Sequence, residues 1–364
     1  MKLLFFSSFA QLILDPDSTR VSGGAELQVA LLARELARRD IDTVIASSDI
    51  GQADGEVLQG VKTRTAGKFH TGALGDTLKA MPRVAKVLAE EKPTHVLVLG
   101  WTAWLFVLYI LKFFYRYKLV FICGLDTELN GEFARENPFR GILFEFAMRR
   151  CDLRFAMTKL QERLFTKSGM DCALYRNLLL PRAAERKAEK TIDFLWVARC
   201  QPIKQPLLFL ELVESVPTAR CEMICPREDA NLWEAVEAAA RRLPNLVFRD
   251  GVPYHEIQAH YDAAHVFVNT STYEGWPNSF IQAGLGHTAI LSLQVRPDNL
   301  FDDYRLGQCA DGDMEKLKKT ADKWEGHPEI TGPMGEEAAR FVAELHDNVR
   351  ETDAFLAGLG VTPP

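Results

Sequence analysis

Arg199 and Lys204 stand five positions apart in the segment Phe194–Phe209, FLWVARCQPIKQPLLF, where an apolar run ends near Ala198 and a proline-containing loop follows. Two cations at the mouth of a strand, beside a helix start, suit a diphosphate and would stabilise charge developing on it as a leaving group. Taken alone, the same pair also reads as two solvated surface cations. The segment Asn269–Ser292, NTSTYEGWPNSFIQAGLGHTAILS, carries the stronger pattern. An apolar strand ends at Asn269, and a polar loop then holds Glu274 and Gly275. Pro277 suits a first helical turn, where its missing N–H costs nothing. Backbone N–H groups around Asn278 and Ser279 would then form a site for an anion. Glu274 is placed to accept hydrogen bonds from sugar hydroxyls, and Gln282, about one turn into the helix, to reach a ribose. An ordinary capped strand-loop-helix has the same letters.

A third segment, Val21–Glu26, VSGGAE, sets Gly23 and Gly24 at a helix start, where paired glycines let a ligand approach the backbone closely. The fingerprint GxGxxG is absent, which ranks a nicotinamide enzyme last. The strand Leu119–Cys123 runs into Gly124-Leu-Asp126, so Asp126 and Glu128 follow a strand end. Asp126 would orient an acceptor or steady positive charge on a sugar ring, or simply cap its loop. His95 precedes its strand and reads as structural. His255 and His260 are five apart and do not make the i,i+4 metal pair. Asp311-Gly-Asp313 has the letters of a metal-binding DxD but precedes a late helix, which it more simply caps. The expectation is chemistry without a metal or a cofactor.

The elements that position these residues alternate. Strands are read at Leu3–Ser7, Asp42–Ala46, Val96–Leu99, Leu119–Cys123 and Arg154–Met157, with helices at Ala25–Arg39, Leu74–Glu91, Ala103–Tyr115 and Phe139–Arg150. After a break at residues 178–191 the alternation restarts. Strands are then read at Asp193–Ala198, Cys221–Cys225, Leu246–Arg249, His265–Asn269 and Thr288–Leu293, with helices at Gln205–Val213, Leu232–Arg242, Tyr254–Ala264 and Asn278–Gly284. The tail, Gly335–Leu359, reads as one long amphipathic helix. Strand-helix alternation implies parallel sheets in layered α/β domains, and ligands of such sheets bind at the carboxyl ends of strands. Two Rossmann-like domains facing a cleft follow: residues 1–180 joined by a C-terminal helix at about 336–364, and residues 190–335.

Composition agrees with this class. The chain has 364 residues, 47% of them hydrophobic and 25% charged, enough for two domains each with its own core. Its net charge of −6 argues against a nucleic-acid-binding protein. Residues 1–180 hold 24 Lys/Arg against 20 Asp/Glu, and the remainder 19 against 29, so the front half is the basic one. Seven cysteines without a CxxC pair read as free thiols of a reducing cytoplasm. Met1–Leu14 reads as a buried first strand rather than a signal peptide. The apolar run Val96–Tyr115 is broken by Gly100 and Thr102, which makes it a strand plus a helix rather than a membrane span. Lys112, Arg116 and Lys118 beside Phe113, Phe114 and Tyr115 suit docking at a membrane interface; a core helix with a basic end has the same pattern.

Together the segments resemble the retaining GT-B glycosyltransferases of family 4, the group that includes sucrose synthases and bacterial mannosyl- and glucosyltransferases. The family's E-x7-E donor motif is matched by Glu274-Gly-Trp-Pro-Asn-Ser-Phe-Ile-Gln282, its Arg-x4-Lys pair by Arg199 and Lys204, and its GG-A-E loop by Gly23 to Glu26. The likeness is strongest over residues 192–300 and thin over 50–150. It implies that Arg199 and Lys204 hold a donor diphosphate, that Glu274 binds the transferred sugar with Gly275, Asn278 and Ser279 beside it, and that the last helix crosses back onto the first domain. Gln282 replaces the second glutamate, and an amide offers one acceptor where a carboxylate offers two oxygens. The family's histidine in the first domain has no counterpart. The implied partners are a UDP- or GDP-linked sugar and a glycan or lipid-linked acceptor, in polysaccharide, lipopolysaccharide or glycolipid assembly at the cytoplasmic side of a membrane. A noncatalytic nucleotide-sugar-binding homologue and a GT-B nucleotide-sugar epimerase are the alternative readings.

Overall fold

The computed structural model describes residues 1–18, 23–69, 74–179 and 189–362. The chain divides into two compact units, Met1–Leu180 with Asn348–Pro364, and Pro181–Asp347. The N-terminal unit holds strands β1 (Lys2–Phe6), β2 (Asp42–Ser47), β3 (Val57–Leu58), β4 (Val61–Thr65), β5 (His95–Leu99), β6 (Lys118–Ile122), β7 (Leu153–Ala156) and β8 (Ala173–Leu174). Its helices are α1 (Gln11–Leu14), α2 (Gly24–Ala37), α3 (Leu74–Glu91), α4 (Trp104–Tyr115), α5 (Glu132–Glu136), α6 (Pro138–Arg149) and α7 (Lys159–Lys167). The sheet order is β3-β4-β2-β1-β5-β6-β7-β8, parallel throughout except between β3 and β4. Such strands are covered on both faces and read as unbroken apolar runs; Leu3 to Phe5 and Leu119 to Ile122 are all essentially inaccessible.

The C-terminal unit repeats the plan with β9 (Ile192–Val197), β10 (Cys221–Ile224), β11 (Leu246–Arg249), β12 (Ala264–Asn269), β13 (Ala289–Ser292) and β14 (Gly307–Cys309). Its helices are α8 (Pro206–Ser215), α9 (Ala230–Ala240), α10 (Ile257–Asp262), α11 (Asn278–Leu285), α12 (Leu300–Asp303), α13 (Met314–Trp324) and α14 (Pro328–Leu345). The six strands are parallel in the order β11-β10-β9-β12-β13-β14. That is the doubly wound order, in which the winding direction reverses between β9 and β12 and opens a crevice at their carboxyl ends. In the N-terminal unit the same reversal falls between β1 and β5. Each unit has its own apolar core.

Several short elements are missing from the sequence reading, among them α1, α5, α7, α12, β8 and β14, and two further features depart from it. The hairpin β3–β4 is absent from it; Gln59 and Gly60 turn with φ of 50° and 86°, and two-strand pairing across so short a loop leaves little period to see. The tail is two helices, α14 and then α15 (Asn348–Gly358). Helical periodicity runs across the join, but His346 leaves helical dihedrals at φ −125° and ψ 68°, with its ring held 5.3 Å from the rings of both Trp276 and Phe341. Helix α14 stays with the C-terminal unit, and α15 belongs to the N-terminal one, where Phe355 stacks on Phe155 at 4.7 Å. The apolar run read as a strand plus a helix is β5 followed by α4, and among the described residues no helix is long and apolar enough to cross a membrane.

Candidate functional site

At the reversal point of the C-terminal sheet two loops meet, one following β9 and one following β12. Phe194, Leu195 and Trp196 root β9 in the core. Beyond it Pro202–Lys204 wind a single 3-10 turn, Gln205 takes a left-handed φ of 47°, and Pro206 opens α8, where a proline suits the first helical position. The partner loop is tied to this turn strand-fashion. The Thr272 N–H donates to the Ile203 carbonyl at 2.9 Å. The Thr270 hydroxyl is shared between the carbonyls of Lys204 (2.8 Å) and Gln205 (3.1 Å), and accepts from the Trp196 indole N–H at 2.9 Å. Both Thr270 and Ser271 are buried.

These ties set the backbone so that Lys204 Nζ lies 2.5 Å from Glu274 Oε1, with both side chains mostly shielded, at 18% and 16% exposure. The Ser271 hydroxyl donates to the same Oε1 at 2.8 Å, which fixes the carboxylate from its other side. Glu274 and Gly275 lie in the loop before α11. That helix starts at Asn278; Pro277, expected in its first turn, instead stands just before it with an extended ψ of 113°, and no side chain caps the helix N-terminus. The helix presents its positive end and is seated on α14 so closely that a Cβ on Gly284 would come within 2.5 Å of Val342 Cγ2 and the Ala338 carbonyl, which demands glycine there. Gln282 is buried one turn further along, its backbone carbonyl accepting from the Gln258 amide at 3.1 Å.

Lys204, Glu274, Asn278 and Ser279 are thus brought to one edge of one sheet. Arg199 follows the same strand but is turned to Glu228, 3.0 Å away and half exposed. Asp126, Gly23 and Gly24 lie in the N-terminal unit. Gly23 precedes α2 without a capping side chain, and Val21 and Ser22 of that motif lie outside the described residues. Asp126 opens a 3-10 turn ending at Glu128, beyond the carboxyl end of β6. Glu128 proves the more constrained of the two. Its Oε1 accepts from the Trp101 N–H at 2.8 Å and its Oε2 from the Gly124 N–H at 2.9 Å, joining the ends of β5 and β6. Burial pushes its carboxyl up to about 7, against the pull of those N–H donors. His95 opens β5 at the opposite end of the strand, buried, as a structural residue should be. His260 pairs with Glu222 at 3.1 Å, and Asp313 caps α13 through the Lys316 N–H at 3.0 Å, as the sequence suggested.

The Glycosyltransferase Family 4 model matches residues 22–172, which include the stretch 50–150 in which the motif likeness is thin. The sucrose-phosphate synthase of Thermosynechococcus elongatus superposes over 99% of this chain and 98% of its own, with a TM-score of 0.77 at 14% identity. The Anabaena protein HepE, crystallised with UDP and glucose, superposes over 99% of both chains with a TM-score of 0.73 at 15% identity. WaaG, a glycosyltransferase involved in lipopolysaccharide biosynthesis, covers 100% of both, with a TM-score of 0.72 at 14% identity. The chain has the GT-B fold, two Rossmann-like α/β domains. No curated protein matches it in sequence. The residues missed in the sequence are Thr270, Ser271 and Trp196, which hold Lys204 against Glu274. Two consecutive small hydroxyl residues directly after a strand were the available signal.

Proposed function

We propose that the C-terminal unit binds a nucleoside diphosphate sugar at its reversal point and that the enzyme transfers the sugar to an acceptor hydroxyl with retention. The observation that carries this reading is the Lys204–Glu274 pair at 2.5 Å, set beside the uncapped N-terminus of α11. A largely shielded cation, a helix dipole and a carboxylate side by side suit a ligand with an anionic half and a polyhydroxyl half. Lys204 and the α11 N–H groups of Asn278 and Ser279 take the diphosphate. Arg199 joins them by exchanging Glu228 for phosphate. Glu274, released from Lys204, accepts from the sugar hydroxyls, with Gly275 leaving room, and Gln282 serves the ribose. Acceptor handling falls to the N-terminal unit, with Asp126 and the Gly23-Gly24 helix start as its contributors.

In the transfer step the bond from the anomeric carbon to the diphosphate oxygen breaks, a bond to the acceptor oxygen forms on the same face, and the acceptor proton passes to the departing diphosphate. No metal or cofactor enters this scheme: Lys204, Arg199 and the helix end stabilise the leaving charge. The crystals of HepE with UDP and glucose support a UDP-linked donor, and the lipopolysaccharide role of WaaG supports an acceptor in surface-glycan assembly.

The test is a thermal shift of the full chain against UDP, GDP, ADP and their sugar conjugates, with and without chelator, followed by product analysis with added acceptor. One nucleotide class at about 100 times its dissociation constant should add roughly 2.7 kcal/mol. Stabilisation that survives chelator, with product of retained configuration, is expected. Stabilisation by none of them would remove the donor assignment, and binding without turnover would leave only the noncatalytic reading.

A further inference from the structure

In the N-terminal unit, helices α4 and α6 pack side by side through Phe106, Tyr109 and Phe146, with ring centroids 6.1 and 5.7 Å from Phe146. Their outer faces are not covered. Phe113 and Phe114 on α4 are 62% and 75% exposed, and Phe139 and Ile142 on α6 are 78% and 65% exposed. With Ile110 and Phe146 these make six of the fourteen large apolar side chains exposed among the described residues, concentrated on two neighbouring helices. Tyr109, 5.4 Å from Phe113 and 5.7 Å from Phe146, makes the patch continuous. A patch of this kind on a water-soluble surface marks an interaction site.

Cations surround it. Arg116 and Lys118 stand exposed where α4 turns into β6, and Arg140, Arg149 and Arg150 stand exposed on and just beyond α6. The Arg150 guanidinium lies 3.8 Å over the Phe146 ring, and Lys112 is drawn to Asp152 at 2.8 Å beside the Tyr109 and Phe113 rings. Residues 104–118 contain no acidic side chain, and residues 138–150 contain one, Glu145.

We propose that the α4–α6 face docks on the surface of an anionic lipid bilayer, with Phe113, Phe114, Phe139 and Ile142 entering the interface and the arginines and lysines meeting the headgroups. Exposed aromatics with cations beside them match an anionic bilayer surface, which offers an apolar layer under a layer of charged headgroups. At twelve residues α4 is too short to cross the membrane and long enough to lie on it. The same face of a second copy is a poor occupant, because it would set like charges against each other.

The experiment is co-sedimentation of the full chain with phosphatidylglycerol–phosphatidylcholine vesicles and with phosphatidylcholine vesicles alone, in the absence of donor and acceptor. Two double variants, F114S/F139S and R116E/K118E, are compared, each checked by its melting temperature. The wild type should bind the anionic vesicles only, and less at high salt. Each variant should bind them at least roughly tenfold more weakly with its melting temperature unchanged. A wild type that ignores anionic vesicles, or binding that both variants retain, would overturn the proposal. A dimer in sedimentation velocity that F114S/F139S dissolves would also overturn it and assign the face to a second copy. None of these readouts depends on the donor site, so failure here leaves the glycosyltransferase reading standing.

Discussion

Each unit sets an acidic residue at the carboxyl edge of its sheet, yet the two settings are chemically unlike. Between β9 and β12, Glu274 faces a lysine at 2.5 Å and keeps part of its surface in water. At the carboxyl ends of β5 and β6, Glu128 is enclosed and faces the peptide N–H groups of Trp101 and Gly124. The strands are so close there that a Cβ on Gly124 would stand 3.0 Å from Gly100 Cα, and Gly100 itself takes a φ of 72°. A carboxylate paired with a mobile side-chain cation can trade that partner for a ligand. A carboxyl bonded to fixed peptides cannot, and its part is to hold two strand ends in place. Two acidic residues at a carboxyl edge are therefore not equivalent; what faces each one decides what it can do.

The largest expected effect tests the first half of this contrast. Lys204→Ala and Glu274→Ala should each lower kcat/KM for transfer by roughly 10²–10³-fold with the melting temperature nearly unchanged, as steady-state kinetics and calorimetry would show. Near-normal activity in both variants would erase the distinction between the two carboxylates. The second half predicts the reverse phenotype for Glu128→Ala: a loss of about 2–4 kcal/mol in denaturant unfolding, because two enclosed N–H groups lose their acceptor. Nucleotide titrations of that variant, while folded, should match the wild type.

Titration sharpens the contrast further. The folded Glu128 carboxyl sits at about 7, above its ordinary 4.5, so the folded chain keeps a proton that the unfolded chain has released. Its contribution is complete below about pH 4.5 and is lost as pH rises through 7, by up to about 3 kcal/mol. Unfolding free energies measured from pH 4.5 to 8 should fall less steeply for Glu128→Gln than for the wild type. Equal slopes would mean that the carboxyl is ionised throughout.

Smaller effects probe how the Lys204–Glu274 geometry is held. Thr270→Val keeps shape and removes the hydroxyl that joins Trp196 to the 204–205 backbone; a fall in kcat of up to about tenfold, with KM for the donor less affected, marks it as a positioning residue. Glu228→Gln frees Arg199 from an exposed pair and should change the donor KM by about fivefold or less.

Much of this was legible in the residues. Alternating apolar runs and helical faces gave two parallel α/β domains, because burial on both faces of a strand writes itself directly into composition. The Arg-x4-Lys and E-x7 spacings pointed to two loops that the structure brings together, because a strand end followed by a helix start leaves its polar residues nowhere else to go. Three features were not legible. The break at His346 is decided by where its ring packs, between Trp276 and Phe341, and a two-residue interruption leaves the helical period intact. The division of labour between Arg199 and Lys204 is decided by which acidic loop each can reach, Glu228 after β10 or Glu274 after β12. The roles of Asp126 and Glu128 depend on the approach of β5 to β6, and their letters are equivalent. The sequence by itself determined the fold class, the reversal-point loops and the charged residues available to them. Only the tertiary structure decided which carboxyl meets a cation and which meets peptide N–H groups, since that pairing joins residues 70 positions apart in one case and 27 in the other through contacts that no local spacing encodes.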